Sequence, residues 1–171
     1  MRALSLDVGS KTIGLALSDE GGRIASALGV ISRKGHQADA REVQRYVIER
    51  EVGRVVVGLP LELDGRCGHR ARLVQRFVEV LEARLGTPVN WWDERFSTAA
   101  AERTLLEADV SRSKRKRKID ALAAQFILQG WLDGQAGSGD AEREAYEAYE
   151  AYEEYEEAPG VCETKRDVDH G

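Results

Sequence analysis

The apolar residues of this chain repeat with one period up to about residue 32 and with another after it, and that switch constrains the fold more than any other feature. Residues 3–7 (ALSLD) form a short apolar run ending in an acid, with Gly9 and Ser10 behind it as a turn signal. Residues 12–18 (TIGLALS) alternate around Ile13, Leu15 and Leu17, the two-residue period of a half-buried strand. Residues 24–32 (IASALGVIS) read as a third strand after the Gly21-Gly22 turn. Connections this short predict an antiparallel meander.

Beyond it the spacing becomes helical. Val43, Val47 and Ile48, with Tyr46 beside them, predict an amphipathic helix over 39–51. Residues 54–59 (RVVVGL) are a continuous β-branched run, as expected of a central strand covered on both faces. Leu73, Val74, Phe77, Leu81 and Leu85 mark a helix over about 68–85, residues 88–92 (PVNWW) a strand, and Ser97 a plausible N-cap for a helix to about Glu107. Residues 109–118 are polar and basic and read as a loop, and Ile119, Leu122, Ala123, Phe126 and Ile127 predict a last helix over about 118–133. The order β-β-β-α-β-α-β-α-α implies one α/β domain with a mixed sheet, a hairpin meander followed by right-handed crossovers.

Composition matters mainly through its asymmetry. Residues 137–171 carry 12 acids and 3 bases, whereas residues 1–136 carry 18 acids and 22 bases, so a mildly basic body (net +4) precedes a strongly acidic tail (net −9). The net charge of −5 for all 171 residues hides this. The tail, residues 137–171, contains EAYEAYEAYEEYEE, with Tyr146, Tyr149, Tyr152 and Tyr155 at every third position. That spacing builds no apolar face, so the tail reads as a disordered Tyr/Glu-rich appendage to a domain of residues 1–136. Its functional alternative is an acidic decoy that competes with nucleic acid or docks a basic partner.

Cys67 and Cys162 lie far apart, and His36, His69 and His170 lack metal-ligand spacing, which excludes a disulfide framework and a structural zinc site. Asp7 and the lack of an apolar run behind it argue against a secretory signal, and no run approaches the ~18 apolar residues of a membrane span. A cytoplasmic protein without membrane contact is expected.

The chemistry points to acids at strand ends. Asp7 ends the first strand in an apolar context, where a carboxylate needs a partner such as a divalent cation, though an acid opening a turn is the plainer reading. Asp93 and Glu94 end the fifth strand. Successive strand residues face opposite sides, so one of the two can share a site with Asp7. Asp120 falls in the expected first turn of the last helix, where it would also suit the helix dipole, and the small residues ALAA after it would let that helix approach a sheet closely. Together these acids could converge on one or two hard, oxygen-preferring ions, Mg²⁺ or Mn²⁺, of the kind that activate water against a phosphodiester.

The run Arg112-Ser113-Lys114-Arg115-Lys116-Arg117-Lys118 directly precedes Asp120 and carries six bases. Next to a metal site it suits phosphate gripping without base specificity, with Lys11 and Arg95 as further phosphate contacts; the alternative is a solvated loop or localisation signal. The stretch Gly58-Leu59-Pro60, with Asp64-Gly65 behind it, reads as a strand end and turns before a helix whose N-terminus near Gly68 could take a phosphate, or as a plain connection.

Four segments in order, LSLDVGSKTIGLALSD, VVVGLPLELDG, DERFSTAAAE and KIDALAAQFILQGWL, resemble the YqgF/RuvX family over about residues 1–133. The resemblance implies a ribonuclease H-like fold, a five-stranded mixed sheet flanked by helices, and kinship with the RuvC Holliday junction resolvases. It also implies a cytoplasmic metal-dependent nuclease. Members have been called Holliday junction resolvases and are now mainly assigned to 5′-end processing of pre-16S rRNA in ribosome biogenesis. Carried over by motif, Asp7, Glu94 and Asp120 would be the catalytic and metal-binding acids and Asp93 their off-face neighbour. Two positions depart from the pattern: Glu62 stands where the family commonly has Asn, and Ala123 where RuvC resolvases carry a fourth acid.

The expected function is therefore a metal-dependent nuclease acting on structured nucleic acid, either pre-rRNA, with a ribosomal-subunit precursor as partner, or branched or single-stranded DNA. It would work as a monomer or homodimer. The alternatives are a Holliday junction resolvase or DNA-repair exo- or endonuclease, and a non-catalytic nucleic-acid-binding module. LDVGSKTIGLALSD also resembles the first phosphate loop of actin-like phosphotransferases, but that fold needs two such domains, more than about 133 ordered residues supply.

Overall fold

The computed structural model describes residues 1–61, 65–86, 88–94 and 112–137. In chain order its elements are β1 (Arg2–Val8), β2 (Thr12–Ser18), β3 (Ala25–Ser32), α1 (His36–Glu49), β4 (Val52–Leu59), α2 (His69–Leu85), β5 (Asn90–Asp93) and α3 (Arg112–Gly137). The strands form one five-stranded sheet in the order β3-β2-β1-β4-β5. The meander pairs antiparallel, β1 with β2 and β2 with β3. Strands β4 and β5 add parallel, β4 beside β1 and β5 beside β4. The expected mixed sheet is thus present, with strand limits within two residues of those read from the alternation.

Side-chain alternation sorts the sheet into two faces. Leu4, Leu6, Val8, Ile13, Leu15, Val55, Val57 and Leu59 pack with Ala40 and Val43 of α1 and Val74, Phe77, Val78 and Leu81 of α2. On the opposite face Ala3, Ala16, Ala25, Val56 and Trp92 pack with Ala124, Ile127, Leu128, Trp131 and Leu132 of α3. Ile48, expected in the apolar stripe of α1, is exposed; at 100° per residue it lies about 140° around the helix from Val43. Helix α2 ends at Gly86 in the left-handed conformation (φ 69°), whose N–H donates to the carbonyl of Glu82.

The last helix departs most from expectation. Residues 112–118, read as a loop, are helical, and α3 runs on to Gly137, past the end expected at about residue 133. Lys and Arg are strong helix formers, and their segment extends the helix that the apolar face of 119–132 anchors to the sheet. Asp120 therefore lies well inside the helix and not in its first turn, where the dipole would have explained it. Gln125 Nε2 donates to the carbonyl of Ala25 (3.0 Å), and Ala25 N–H donates to Gln129 Oε1 (2.9 Å), which docks α3 along edge strand β3.

The expected helix at about 97–107 and the tail beyond Gly137 lie outside the described residues. No helix among those described is long and apolar enough to cross a membrane.

Candidate active site

The three parallel strands β1, β4 and β5 end on the same side of the sheet, and the acids of interest sit at those ends. In an open α/β sheet that carboxyl edge is where ligands bind. Asp7 is the penultimate residue of β1 and pairs with Gly14 of β2. On its other side the register of β1 with β4 (Ser5 with Val56, Leu6 with Val57) brings Gly58 alongside Asp7. Asp7 thus stands between two glycines on the α3 face of the sheet.

Both glycines leave room that another acid's neighbourhood fills. A Cβ on Gly14 would lie 1.9 Å from the carbonyl oxygen of Asp120, so only glycine lets the α3 backbone come down at this point. A Cβ on Gly58 would lie 2.5 Å from Glu94 Oε1 and 2.6 Å from Ile127 Cδ1. Asp120 is therefore seated over the strand on one side of Asp7, and the Glu94 carboxylate over the strand on the other. All three acids are half-buried.

The choice between Asp93 and Glu94 follows from the same alternation. Trp91 packs with the α1/α2 face and Trp92 with the α3 face. Asp93, 3% exposed, falls on Trp91's side, and Glu94 on the side of Asp7. Both tryptophans are buried, so their apolar pair carried no parity signal in the sequence.

Two further contacts support this arrangement. Thr12 Oγ1 donates to Asp120 Oδ2 at 2.6 Å. Ser5 Oγ, two residues before Asp7 on the same face, donates to the carbonyl of Ala124 at 2.6 Å and ties β1 to α3. From the opposite face Arg33 holds the β1–β2 turn: Nη1 donates to the Gly9 carbonyl (3.0 Å) and Nε to Asp39 Oδ2 (3.1 Å), and the guanidinium lies over the Phe77 ring. Asp39, 1% exposed, also accepts from Lys34 N–H (2.8 Å), so this buried charge is fully engaged. Neither Thr12, Ser5 nor Arg33 stood out in the sequence. The isolated glycines within the strand patterns were the available signal, since glycine there marks a close approach of backbone.

Of the expected phosphate contacts, Lys11 is exposed in the β1–β2 turn, next to Thr12. Arg112, Lys114, Arg115, Lys116, Arg117 and Lys118 lie on the opening turns of α3, on the same helix as Asp120. Arg95 and Glu62 lie outside the described residues. The Gly68 end of α2 has no side-chain cap. Cys67 is a poor nucleophile: burial pushes its thiol up, against smaller opposing effects of Arg72 and Gln75.

Asp7, Glu94 and Asp120 together offer only oxygen donors, the ligand type of Mg²⁺ and Mn²⁺. The spaces left by Gly14 and Gly58 fit such a set, because they admit two carboxyl-bearing residues around a third. Among the described residues no three His, Cys, Asp or Glu side chains are drawn together tightly enough to hold a metal ion as they stand.

The family model described as "RuvX: Holliday junction resolvase" matches residues 1–134. A Myxococcus xanthus protein named "Putative pre-16S rRNA nuclease" is 51% identical over 133 residues, covering 78% of this chain and 88% of its own. A Listeria monocytogenes protein of the same name is 53% identical over 137 residues, covering 78% of this chain and 98% of its own. Among solved structures, T. thermophilus RuvC in complex with a Holliday junction substrate superposes with a TM-score of 0.53, at 14% identity, covering 81% of this chain and 98% of its own. That likeness shows the fold, which is the ribonuclease H-like one expected. With most of its length matched by the family model and by relatives at half identity, the chain belongs to the RuvX family.

Proposed function

We propose that this protein is a metal-dependent nuclease that hydrolyses phosphodiester bonds in structured nucleic acid, with the 5′ end of pre-16S rRNA as its substrate. One observation carries the reading: Asp7 stands between two glycines, and these give clearance to Glu94 on one side and Asp120 on the other. The names borne by relatives at 51–53% identity support the choice of substrate. Work on a ribosomal precursor would place the protein in the cytoplasm.

Asp7, Glu94 and Asp120 would hold Mg²⁺ or Mn²⁺, which when bound polarises the phosphate and lowers the pKa of the attacking water. The chain's own residues do the rest. Gly14 and Gly58 keep the carboxylates at the sheet surface, and Ser5 and Arg33 fix the strand and turn that carry Asp7. Lys11 and the cations opening α3 would position the backbone of the nucleic acid through its phosphates, without reading bases. Ala123, where RuvC resolvases have a fourth acid, is 1% exposed and belongs to the packing of α3. That weighs against the junction-resolving alternative.

The test is cleavage of a pre-16S 5′ leader RNA, single-stranded DNA and a four-way junction, with Mn²⁺, Mg²⁺ or chelator, by wild type and Asp7→Asn. Metal-dependent cleavage of the RNA, lowered on the order of 10²-fold or more in Asp7→Asn while nucleic-acid binding is kept, is expected. Binding with no metal-dependent turnover on any substrate would instead favour the non-catalytic module.

A further inference from the structure

We infer that Thr12 is a positioning residue, one whose hydroxyl sets the direction in which Asp120 presents its carboxylate. The inference rests on the metal-binding role proposed above for Asp120. Thr12 opens β2 immediately after the β1–β2 turn, where Gly9 N–H donates to the Thr12 carbonyl at 2.9 Å. Its backbone is thus fixed by the turn that follows Asp7. Its Oγ1 donates to Asp120 Oδ2 at 2.6 Å, across 108 positions of sequence.

Asp120 is thereby held at two points. Its carbonyl rests on Gly14, two residues along β2 from Thr12 and on the same sheet face, and its carboxylate is held by Thr12 itself. A β-branched side chain on a strand has few rotamers, so the hydroxyl is a stiff anchor. With Oδ2 engaged, the carboxylate cannot turn freely about its terminal torsion, and Oδ1 is left as the oxygen to offer a cation. Outer contacts that fix a ligand in this way typically matter about 10–100-fold in metal affinity. A bare structural tether between β2 and α3 would use the same hydrogen bond but would have different consequences.

The experiment titrates the full chain with Mn²⁺ alone, following free Mn²⁺ by electron paramagnetic resonance, alongside thermal unfolding without metal. Thr12→Val keeps the shape and removes the donor; Thr12→Ser keeps the donor. The expected result is Mn²⁺ binding about 10-fold weaker in Thr12→Val and within about 3-fold of wild type in Thr12→Ser. In an Asp120→Asn background, Thr12→Val should add little, because its effect runs through Asp120. A Thr12→Val protein that unfolds earlier yet binds Mn²⁺ as wild type does would overturn the positioning role and leave a tether. Wild type that binds no Mn²⁺, or binds it equally well as Asp7→Asn, would instead overturn the acid-site reading beneath it, an outcome distinct from a failure of Thr12 alone.

Discussion

The two faces of the sheet are built from different residues for different ends. Toward α1 and α2 the strands present Leu4, Leu6, Val8, Ile13, Leu15, Val57 and Leu59, side chains that fill space and keep the helices at ordinary packing distance. Toward α3 the same strands present Ala3, Ser5 and Asp7 of β1, Thr12, Gly14 and Ala16 of β2, and Val56 and Gly58 of β4. Small side chains there leave room for α3 to approach closely, to the point where the Asp120 carbonyl occupies the place of a Gly14 side chain. One face is designed around volume, the other around clearance. Alternation along β1 lets a single strand serve both, with Leu6 on the first face and Asp7 on the second.

If that division holds, a truncation on the first face should cost stability and spare the site. Leu81 of α2 is fully buried among the large residues of that face. Leu81→Ala should lower stability by about 2–5 kcal/mol, the range for a buried leucine that leaves a cavity. Urea unfolding measures this, and cleavage per folded molecule should stay near wild type at temperatures where the variant remains folded. A comparable loss of cleavage by folded Leu81→Ala would mean the two faces are not separable.

On the second face the expected effect on stability is smaller and the effect on the site larger. Gly14→Ala places a methyl 1.9 Å from a backbone oxygen, which cannot rotate away as a side-chain tip could, so α3 must shift. Overpacking of this kind costs about 1–3 kcal/mol. Because Asp120 is the residue displaced, metal-dependent cleavage should fall out of proportion to the loss of stability. Urea unfolding and cleavage measured on one preparation give the ratio, and a Gly14→Ala protein with full activity would sink the clearance argument.

Much of the first face was legible in the sequence, and little of the second. Alternation in 12–18 and the continuous run at 54–59 located the strands, because burial on an apolar face leaves a periodic mark. The site depends on contacts between distant segments, and those leave none. Asp93 and Glu94 could not be told apart by pattern while both Trp91 and Trp92 were apolar. They separated once each indole was placed on its face of the sheet. The start of α3 was misread for a different reason. Residues 112–118 carry no apolar stripe in the sequence, yet their high helix propensity and their continuity with the anchored stretch after Ile119 suffice to extend the helix. Resemblance named Asp7, Glu94 and Asp120; it did not reveal that two glycines separate them or that Thr12 holds one of them.

The smallest expected effect gives the sharpest contrast, because it makes the same substitution one strand away. Gly29 lies in edge strand β3 opposite Leu15, whereas Gly14 lies in β2 opposite Asp7. An added Cβ at Gly29 meets nothing within 4 Å, and the residue does not occupy the left-handed region that glycine alone adopts readily. Gly29→Ala therefore loses no native contact and narrows the unfolded chain's freedom, which should raise stability by about 0.4–1 kcal/mol. Thermal unfolding should show a rise of about 1–4 °C, with cleavage unchanged. The pair then compares the same added methyl at two strand glycines, one in internal strand β2 beneath α3 and one in edge strand β3 where an added Cβ meets nothing. Were Gly29→Ala to destabilise the fold as much as Gly14→Ala, the cost at Gly14 would belong to glycine in this sheet generally, and the seating of Asp120 would no longer explain it.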